Sequence, residues 1–152
     1  MSEITYQREP FDPSIPMIKA LNDAHGVELT GRSTDLNTYQ YQVLQREGRH
    51  IFITAKDGDK YVGYASHFWH RHLHYNIRIA QDDAWYVMPE YRKQGIGRKL
   101  RELSIEELKK DNVQLVMGRL KAAHPHDDSL TSLGYMPYET VWLLDLMSKS
   151  GE

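Results

Sequence analysis

The first part of the chain contains two stretches in which apolar residues recur every three to four positions, the spacing of one face of an α-helix. In the first, over about residues 13–24, Asp12 can cap the helix and the proline after it can occupy the first turn. In the second, Thr34 or Asp35 is the capping residue. The two apolar faces consist of Ile15, Ile18 and Leu21, and of Leu36, Tyr39, Val43 and Leu44. The pattern predicts two amphipathic helices joined by a loop over residues 26–33.

Segments with alternating or continuous apolar residues predict the strands of a sheet. Residues 48–56 and 60–69 are predicted to form a hairpin, because Asp57-Gly-Asp between them is a strong turn signal. The other predicted elements are strands at residues 3–8, about 77–88, 113–117, 135–138 and 141–146, and a short helix at 127–133 that stops at Gly134. The strand at 113–117 follows a helix and is therefore expected to return as a parallel neighbour.

The stretch from Ala84 to Leu100 combines three features that together make an anion site. Pro89 stops a strand-forming run, a turn with glycines and basic residues follows, and an amphipathic helix begins near Ile96. The first N–H groups of a helix have no intrahelical partner, and the helix dipole favours negative charge there. Glycine lets a phosphate approach the backbone without meeting a Cβ atom. The stretch is therefore predicted to bind phosphate, although a solvated basic helix face also explains part of its charge.

Within this stretch, Arg92-Lys-Gln-Gly-Ile-Gly97 resembles the Gln/Arg-x-x-Gly-x-Gly/Ala signature of the GNAT superfamily of N-acetyltransferases, and Tyr86-Val-Met-Pro-Glu-Tyr91 resembles its lead-in. The resemblance implies an α/β (α+β) fold with a mixed, mostly antiparallel central sheet flanked by helices, in the order β-α-α-β-β-β-α-β-α-β-β. It implies acetyl-CoA as the acyl-donor cosubstrate. The residues it assigns to cofactor binding are Tyr86, Val87, Met88, Arg92, Lys93, Gln94, Gly95, Ile96, Gly97 and Arg98.

Length and composition are typical of an ordinary globular domain. With 152 residues, 40% hydrophobic and 26% charged, we expect a single domain over residues 1–152, frayed at 148–152. No apolar run reaches the length of a membrane span and no signal-peptide pattern is present, so we expect a cytoplasmic protein. The lack of cysteine excludes disulfides, thiolate metal sites and a cysteine nucleophile. A net charge of −2 argues against a general nucleic-acid coat.

Acetyl transfer to an amine requires the amine to lose its proton, and the resemblance places a general base near the start of the central strand, where Asp82 and Asp83 lie. Adjacent strand residues face opposite sides, so only one carboxylate can point into the cleft. Asp83 is the preferred candidate and Asp82 the alternative, while both can also be turn-end carboxylates in solvent. The resemblance assigns the backbone N–H of Val87 or Met88 to the thioester carbonyl.

A general acid for the departing thiolate is harder to assign. Many GNAT enzymes carry a tyrosine four residues before the glycine that ends the last helix, and this chain has Leu130 there. Ser129 is the catalytic candidate, and the alternatives nearby are His124, His126, Tyr135 and Tyr138. A thiol with a pKa of about 8.5 can also leave without an acid.

Half of the eight histidines are His67, His70, His72 and His74, and the last three would share one face of a continuous strand. A divalent-metal site or an acceptor-binding rim is one interpretation. Three imidazoles at this spacing extend over about 13 Å, which is too far for one ion. We therefore expect no metal site and a surface role, with neighbouring aromatic residues lining an acceptor groove or only packing.

The leading hypothesis is an acetyl-CoA-dependent N-acetyltransferase that acts on a primary amine of a small molecule or a protein. The alternative is a GNAT-fold CoA-binding protein with little or no turnover, which acts by binding or inhibiting a partner. A nucleic-acid-modifying acyltransferase is a third hypothesis, for which the net charge offers little support. No membrane partner is expected, and a homodimer is left open. Residues 26–33, 70–76 and 136–140 are the expected acceptor loops.

Overall fold

The computed structural model describes residues 3–119 and 128–147, apart from the side chain of Ser129. The strands and helices of these residues are β1 (Ile4–Arg8), α1 (Pro16–Thr30), α2 (Thr38–Arg46), β2 (His50–Asp57), β3 (Lys60–Arg71), β4 (Arg78–Val87), α3 (Ile96–Lys110), β5 (Leu115–Met117) and α4 (Asp128–Ser132). One turn of 3-10 helix, Pro89–Tyr91, joins β4 to α3. None of the helices in this part of the chain combines the length and the apolar character needed to cross a membrane.

The five strands form one sheet in the order β1-β2-β3-β4-β5. The pairs from β1 to β4 are antiparallel, and β5 returns parallel to β4 after the crossover through α3. The predicted mixed, mostly antiparallel sheet and the hairpin between β2 and β3 are confirmed. The pairing of β5 with β4 is short, since it covers only Ile79–Gln81, while β4 continues to Val87. The two strands therefore separate beyond Gln81.

Each face of the sheet packs against its own helices. The core beneath α3 contains Ile53, Val62, Ala80, Leu100 and Leu108, all buried. The core beneath α1 is richer in aromatic residues and consists of Phe11, Ile18, Leu21, Phe52, Tyr64 and Tyr86. This division matters for the site, because a β4 side chain lies in one layer or the other according to its position along the strand.

Helix α1 starts later and ends later than predicted. The Asp12 carboxylate accepts hydrogen bonds from the backbone and hydroxyl of Ser14 and forms a turn, so the helix begins at Pro16. It continues to Thr30 and ends at Gly31, which adopts a φ of 74°. The predicted loop at residues 26–33 is therefore largely helical, because Gly26 lies inside the helix.

Helix α2 also begins later than predicted, at Thr38. Its cap is Asn37, whose side chain accepts from the backbone N–H of Gln40 at 3.1 Å. The predicted cap Thr34 instead donates its hydroxyl to Asp23 of α1. The capping prediction was wrong because several capping residue types occur in succession here and a tertiary contact decides which of them caps the helix.

Strand β4 contains a β-bulge at the two aspartates. Asp82 is paired with His67 and Ala84 with Ser66, while Asp83 between them has no paired residue in the β3 ladder. Two residues of β4 thus occupy the space of one, and such a bulge bends a strand and increases its twist. The bulge lies directly after the last β4–β5 pair, so it accounts for the separation of the two strands.

The predicted final strands at residues 135–138 and 141–146 are not formed in the described part of the chain, so that part of the predicted order was wrong. The helix α4 stops just before Gly134, whose φ is 93°, as the pattern indicates. The following residues carry strand-favouring side chains but lie exposed along the surface. A strand is stable only beside a partner edge, and these residues take none. Residues 148–152, predicted to be frayed, lie outside the described residues.

Candidate active site

The turn between β4 and α3 presents the start of a helix to a cavity. Gly95 precedes the helix with a φ of 80°, and Lys93 is also left-handed with a φ of 62°. The first intrahelical bond runs from the N–H of Lys99 to the carbonyl of Gly95. The N–H groups from Gly95 to Arg98 therefore lack intrahelical partners and form an anion-binding helix start.

A cavity of about 410 Å³ opens at this helix start. It is bordered by α1, by the end of β4 and by the turn, with His25, Glu28, Leu29, Trp85, Tyr86, Val87, Tyr91, Arg92, Lys93, Gly95, Ile96, Gly97 and Arg98 lining it. Eight of the ten predicted cofactor residues are thus brought together. Met88 and Gln94 are not among the lining residues, because the Met88 N–H donates to Val62 O and the Gln94 amide donates to Glu90 O.

The two arginines predicted to bind the cofactor are engaged by other protein groups. Arg92 donates its Nε to Val87 O at 2.8 Å and pairs with Glu28 at 2.6 Å. Arg98 pairs with Glu102 and also donates to the hydroxyl of Ser132. Arg92 therefore joins the turn to α1 across the cavity, while Arg98 is held within α3 and against α4. Lys93 forms no ion pair with the described residues, so it and the backbone N–H groups are the electropositive groups left for an anion.

Gly97 is required for packing as well as for open space. A Cβ atom at this position would lie 2.9 Å from Cζ2 of Trp85, and the Trp85 indole N–H donates to Gly97 O. The indole therefore fastens the start of α3 to β4. This contact could not be read from the sequence, where the glycine was interpreted only as space for a phosphate.

Within residues 3–119 and 128–147, no strand pairs with the β5 side of β4 beyond Gln81, so the β4 backbone is open there. The Met88 N–H points toward β3, so alternation along the strand directs the backbone groups of Val87 the other way. The bond from Arg92 to Val87 O agrees with this direction. Of the two N–H groups predicted to bind the thioester carbonyl, Val87 faces the opening and Met88 does not.

Asp82 lies in the α3 layer and is enclosed by two partners. Its carboxylate is 3.0 Å from the Arg101 guanidinium and 2.7 Å from His67 Nε2, and its side chain is 9% exposed. Burial raises the pKa of Asp82, but the His67 contact and the Arg101 charge outweigh burial and leave the pKa below its usual value. A buried carboxylate held ionised in this way supports the structure of the sheet.

Asp83 faces the opposite layer and is exposed. It accepts hydrogen bonds from the Tyr41 hydroxyl at 2.5 Å and the Ser66 hydroxyl at 2.7 Å. Since Ser66 donates to Asp83, His50 Nε2, 2.7 Å from the Ser66 oxygen, is the donor in that contact. Burial lowers the pKa of His50 to about 4, despite the opposing effect of the Asp83 charge. This group of residues fixes Asp83 and leaves it open to solvent.

A histidine that the sequence pattern did not indicate, His25, also borders the cavity. His25 Nδ1 lies 2.6 Å from the Tyr64 hydroxyl, and its ring stacks on Tyr86 at 4.9 Å. Burial, and then the charge of Asp83, raise the pKa of Tyr64, so this phenol stays protonated. In a helix, the spacing of His25 and Glu28 places them on one face, which could have indicated both as neighbours of the site. Because the helix was predicted to end at residue 24, this spacing was not considered.

The candidates for the general acid divide by location. Leu130 is buried, as expected of an apolar residue. Tyr135 is half-buried against Gly118, and burial followed by the Asp82 charge raises its pKa to about 12. Tyr138 is exposed. The Ser129 side chain and both histidines at 124 and 126 lie outside the described residues.

The histidine-rich hairpin shows local stacking. His72 and Tyr75 stack with ring centroids 4.9 Å apart, and His74 lies beside them. His67 is separate, since it points into the α3 layer toward Asp82. Within residues 3–119 and 128–147, no group of three potential metal ligands is brought together.

Comparison with known proteins agrees with this geometry. The model of the acetyltransferase (GNAT) family matches residues 16–130. No match is found among curated proteins. An aminoglycoside acetyltransferase from an uncultured soil metagenomic sample, in complex with sisomicin, has 16% identity and a TM-score of 0.75, covering 96% of this chain and 97% of its own.

Two further solved structures are similar in the same way. The ribosomal-protein-alanine N-acetyltransferase from Brucella melitensis has 10% identity and a TM-score of 0.72, with 94% of this chain and 99% of the other covered. An acetyltransferase from Trypanosoma brucei has 16% identity and a TM-score of 0.71, with 95% and 100% covered. At such identities the likeness concerns the fold.

Proposed function

The chain belongs to the GNAT family of acetyltransferases, and on that premise we propose that it transfers an acetyl group from acetyl-CoA to a primary amine. The observation that carries the proposal is the cavity at the start of α3, which adjoins the open edge of β4. Asp83 lies on the same strand a few residues earlier, on the α1 side of the sheet. A phosphate-binding helix start, an open strand edge and an anchored carboxylate are the parts that this reaction needs.

The donor would be held by backbone more than by side chains. The N–H groups from Gly95 to Arg98, together with Lys93, would hold the pyrophosphate of acetyl-CoA. The Val87 N–H would bind the acyl arm along the β4 edge and polarise the thioester carbonyl. When bound, acetyl-CoA supplies the activated acetyl group.

The acceptor amine must be neutral to attack. An alkylamine with a pKa of about 10.4 is almost entirely protonated at pH 7, so a base or the neutral minority is required. Asp83 would take this proton directly or through water, while the amine nitrogen bonds to the acetyl carbon and the carbon–sulfur bond breaks. The departing CoA thiolate takes a proton from solvent or from a neighbouring group such as Ser129 or Tyr135.

Binding of the donor is tested by calorimetry with acetyl-CoA. Lys93→Glu keeps a Cβ atom at the left-handed position but reverses the charge at the cavity, so we expect a clear loss of affinity. Lys109→Glu makes the same charge change at the other end of α3 and serves as the matched control. Equal affinities for Lys93→Glu and the wild type would refute the assignment of the cavity.

Turnover is tested by release of free CoA thiol in the presence of amines. The protein has no cysteine, so a thiol reagent reports CoA alone. Aminoglycosides, polyamines and peptides with free N-termini are suitable acceptors, since related folds include acetyltransferases for an aminoglycoside and a ribosomal protein.

A second candidate is a CoA-binding protein with little turnover, and the buried Leu130 at the expected acid position favours it. It predicts normal acetyl-CoA binding without thiol release for any acceptor. The leading proposal predicts release that depends on one acceptor class.

A further inference from the structure

The Arg92 side chain lies between β4 and α1 in the lining of the cavity. Its Nε donates to the Val87 carbonyl at 2.8 Å, and its Nη2 donates to the Glu28 carboxylate at 2.6 Å. The guanidinium carbon also lies 5.5 Å from the centre of the Tyr86 ring, a distance typical of cation–π contacts. Two nitrogens and one face of the guanidinium are therefore engaged by protein groups.

Glu28 is the acidic residue in a mostly basic cavity lining. The other charged side chains among the described lining residues are basic, namely Arg92, Lys93 and Arg98. A carboxylate disfavours a second anion beside it, so an acid at a phosphate site needs a role of its own. The hydrogen bond and the charge of Glu28 outweigh burial and raise the pKa of Arg92, so the two groups stabilise each other's charged forms. The positive charge of Arg92 is thus directed to Glu28.

The pair of Arg92 and Glu28 can open at little cost. Their side chains are 40% and 43% exposed, and ion pairs at such exposure contribute little to folding stability. The buried pair of Arg101 and Asp82, at 3% and 9%, cannot open in this way. A phosphate offers a guanidinium two parallel charge-assisted hydrogen bonds, whereas the Glu28 contact is a single bond from Nη2. A phosphate can therefore replace the carboxylate as the partner of Arg92.

We propose that Glu28 sets the affinity of the protein for its acyl donor, because its carboxylate and a phosphate of the donor compete for Arg92. The inference rests on the function proposed above, in which the phosphates of the donor lie at the start of α3. In the free protein Arg92 is paired with Glu28, and on donor binding its Nη2 exchanges the carboxylate for a phosphate oxygen. The product CoA carries the same phosphates, so it is also held less tightly and is released sooner.

Calorimetry with acetyl-CoA and with CoA is the first test. Glu28→Gln keeps the length of the side chain but removes its charge, so Arg92 is released and both ligands should bind about 3–10-fold more tightly. Glu47→Gln removes the same charge from an exposed ion pair with Arg49, outside the cavity lining, and should bind both ligands like the wild type. Unchanged or weaker binding in Glu28→Gln would overturn this inference alone. A wild type that binds neither ligand would overturn the proposed function as well.

A double-mutant cycle with Arg92→Gln tests whether Glu28 acts through Arg92. Without the arginine the two anions have nothing to compete for, so Arg92→Gln and the double variant Arg92→Gln, Glu28→Gln should differ by less than about twofold in acetyl-CoA affinity. A full gain in the arginine-free background would show that Glu28 only repels the donor, and would refute the competition. The melting temperatures of all these variants should stay within about 4 °C of the wild type, since the pair is exposed. A larger loss in Glu28→Gln would show that the pair supports the fold, and would contradict the proposal.

Discussion

Asp82 and Asp83 are neighbours in the chain with different surroundings. The carboxylate of Asp82 is enclosed by Arg101 and His67, and that of Asp83 is anchored by two hydroxyls at the surface. Sequence alternation predicted that the two would face opposite ways but did not choose between them, and Asp83 was only the preferred candidate. It could not reveal the partners, which come from strands and helices distant in the chain.

Replacement of Asp83 by asparagine should affect chemistry. We expect turnover on an identified acceptor to fall by about 10²–10⁴-fold and to rise more steeply with pH, because solvent base must replace the carboxylate. Acetyl-CoA affinity should be unchanged. Asp59→Asn, at the exposed turn between β2 and β3, is the control. Wild-type turnover in Asp83→Asn, measured by thiol release, would place the base elsewhere.

Replacement of Asp82 by asparagine should affect stability. Loss of the charge leaves Arg101 buried without its counter-ion, at a cost of about 3–5 kcal/mol in the free energy of unfolding. The folded pKa of Asp82 is lowered, so its contribution is present above the unfolded pKa of about 3.9 and is lost as pH falls through the lower folded value. Denaturant titrations at several pH values should therefore show that the free energy of unfolding of Asp82→Asn changes less at acid pH than that of the wild type.

The control for this measurement is Asp111→Asn, which removes a surface partner of Arg8. It should cost less than about 1 kcal/mol. Similar losses in the two variants would show that the Asp82 pair is no more important than a surface pair.

His50 should make the protein sensitive to mild acid. Its pKa is about 4 in the folded state against about 6.5 when unfolded, so the unfolded chain binds more protons between these values. The free energy of unfolding should therefore decrease as the pH is lowered through this window, and at pH 5 it should be roughly 2 kcal/mol smaller than at neutral pH. His50→Gln should remove that part of the pH dependence in urea titrations, whereas exposed His74→Gln should keep it. An unchanged slope in His50→Gln would contradict this assignment.

Some helices and strands were predicted correctly from local patterns, and others were misplaced. The hairpin, α3 and the parallel return of β5 were predicted correctly, because turn residues and apolar spacing within each segment determine them. The start of α1 is shifted by the turn in which Ser14 donates to Asp12, and the helix continues to Gly31. The cap of α2 depends on a tertiary contact, because Thr34 donates to Asp23 of α1. Strand propensity at 141–146 was recognised, but no strand forms there among the described residues, because a strand also needs a partner edge.

Gly26 offers a test in which a tertiary contact reverses an intrinsic propensity. Glycine to alanine inside a helix normally stabilises by about 1 kcal/mol. A Cβ atom at Gly26 would lie 2.8 Å from the carbonyl oxygen of Arg32, so Gly26→Ala should instead destabilise by about 1–3 kcal/mol. Thermal unfolding measures this, with exposed Ala24→Gly as a control that should cost about 1 kcal/mol. A stabilised Gly26→Ala would show that the helix end shifts freely.

At the scale of the whole molecule, the sheet distributes its polar groups by layer. One layer carries the Asp82 ion pair and the other carries Asp83 with its hydroxyl partners. The cavity lies at the end of β4, beyond the last pair with β5. The sequence signature predicted the cavity lining well, because backbone conformation at the turn depends on local glycines. It did not predict that both signature arginines pair with acidic side chains, since those acids lie on α1 and further along α3.

Metal removal should leave the protein unchanged. The histidines of the hairpin stack on one another and on Tyr75, and His67 points to Asp82 in the opposite direction. Dialysis against a chelator should alter neither the melting temperature nor acetyl-CoA binding. Loss of either property, with recovery on adding zinc but not magnesium, would contradict the expectation.

The bulge at Asp83 has a consequence for how such a site is gained or lost. Asp83 is the one extra residue of β4 between two consecutive residue pairs with β3. A chain without Asp83 could therefore pair Asp82 with His67 and Ala84 with Ser66 in an unbroken ladder. The rest of the register would be preserved, but the bend that separates β4 from β5 would go with the carboxylate. A deletion of three nucleotides would thus remove the proposed base and narrow the proposed donor cleft together, and the insertion of an aspartate codon would restore both. The proposed site would therefore be gained or lost in evolution by one residue of chain length, with every other side chain unchanged.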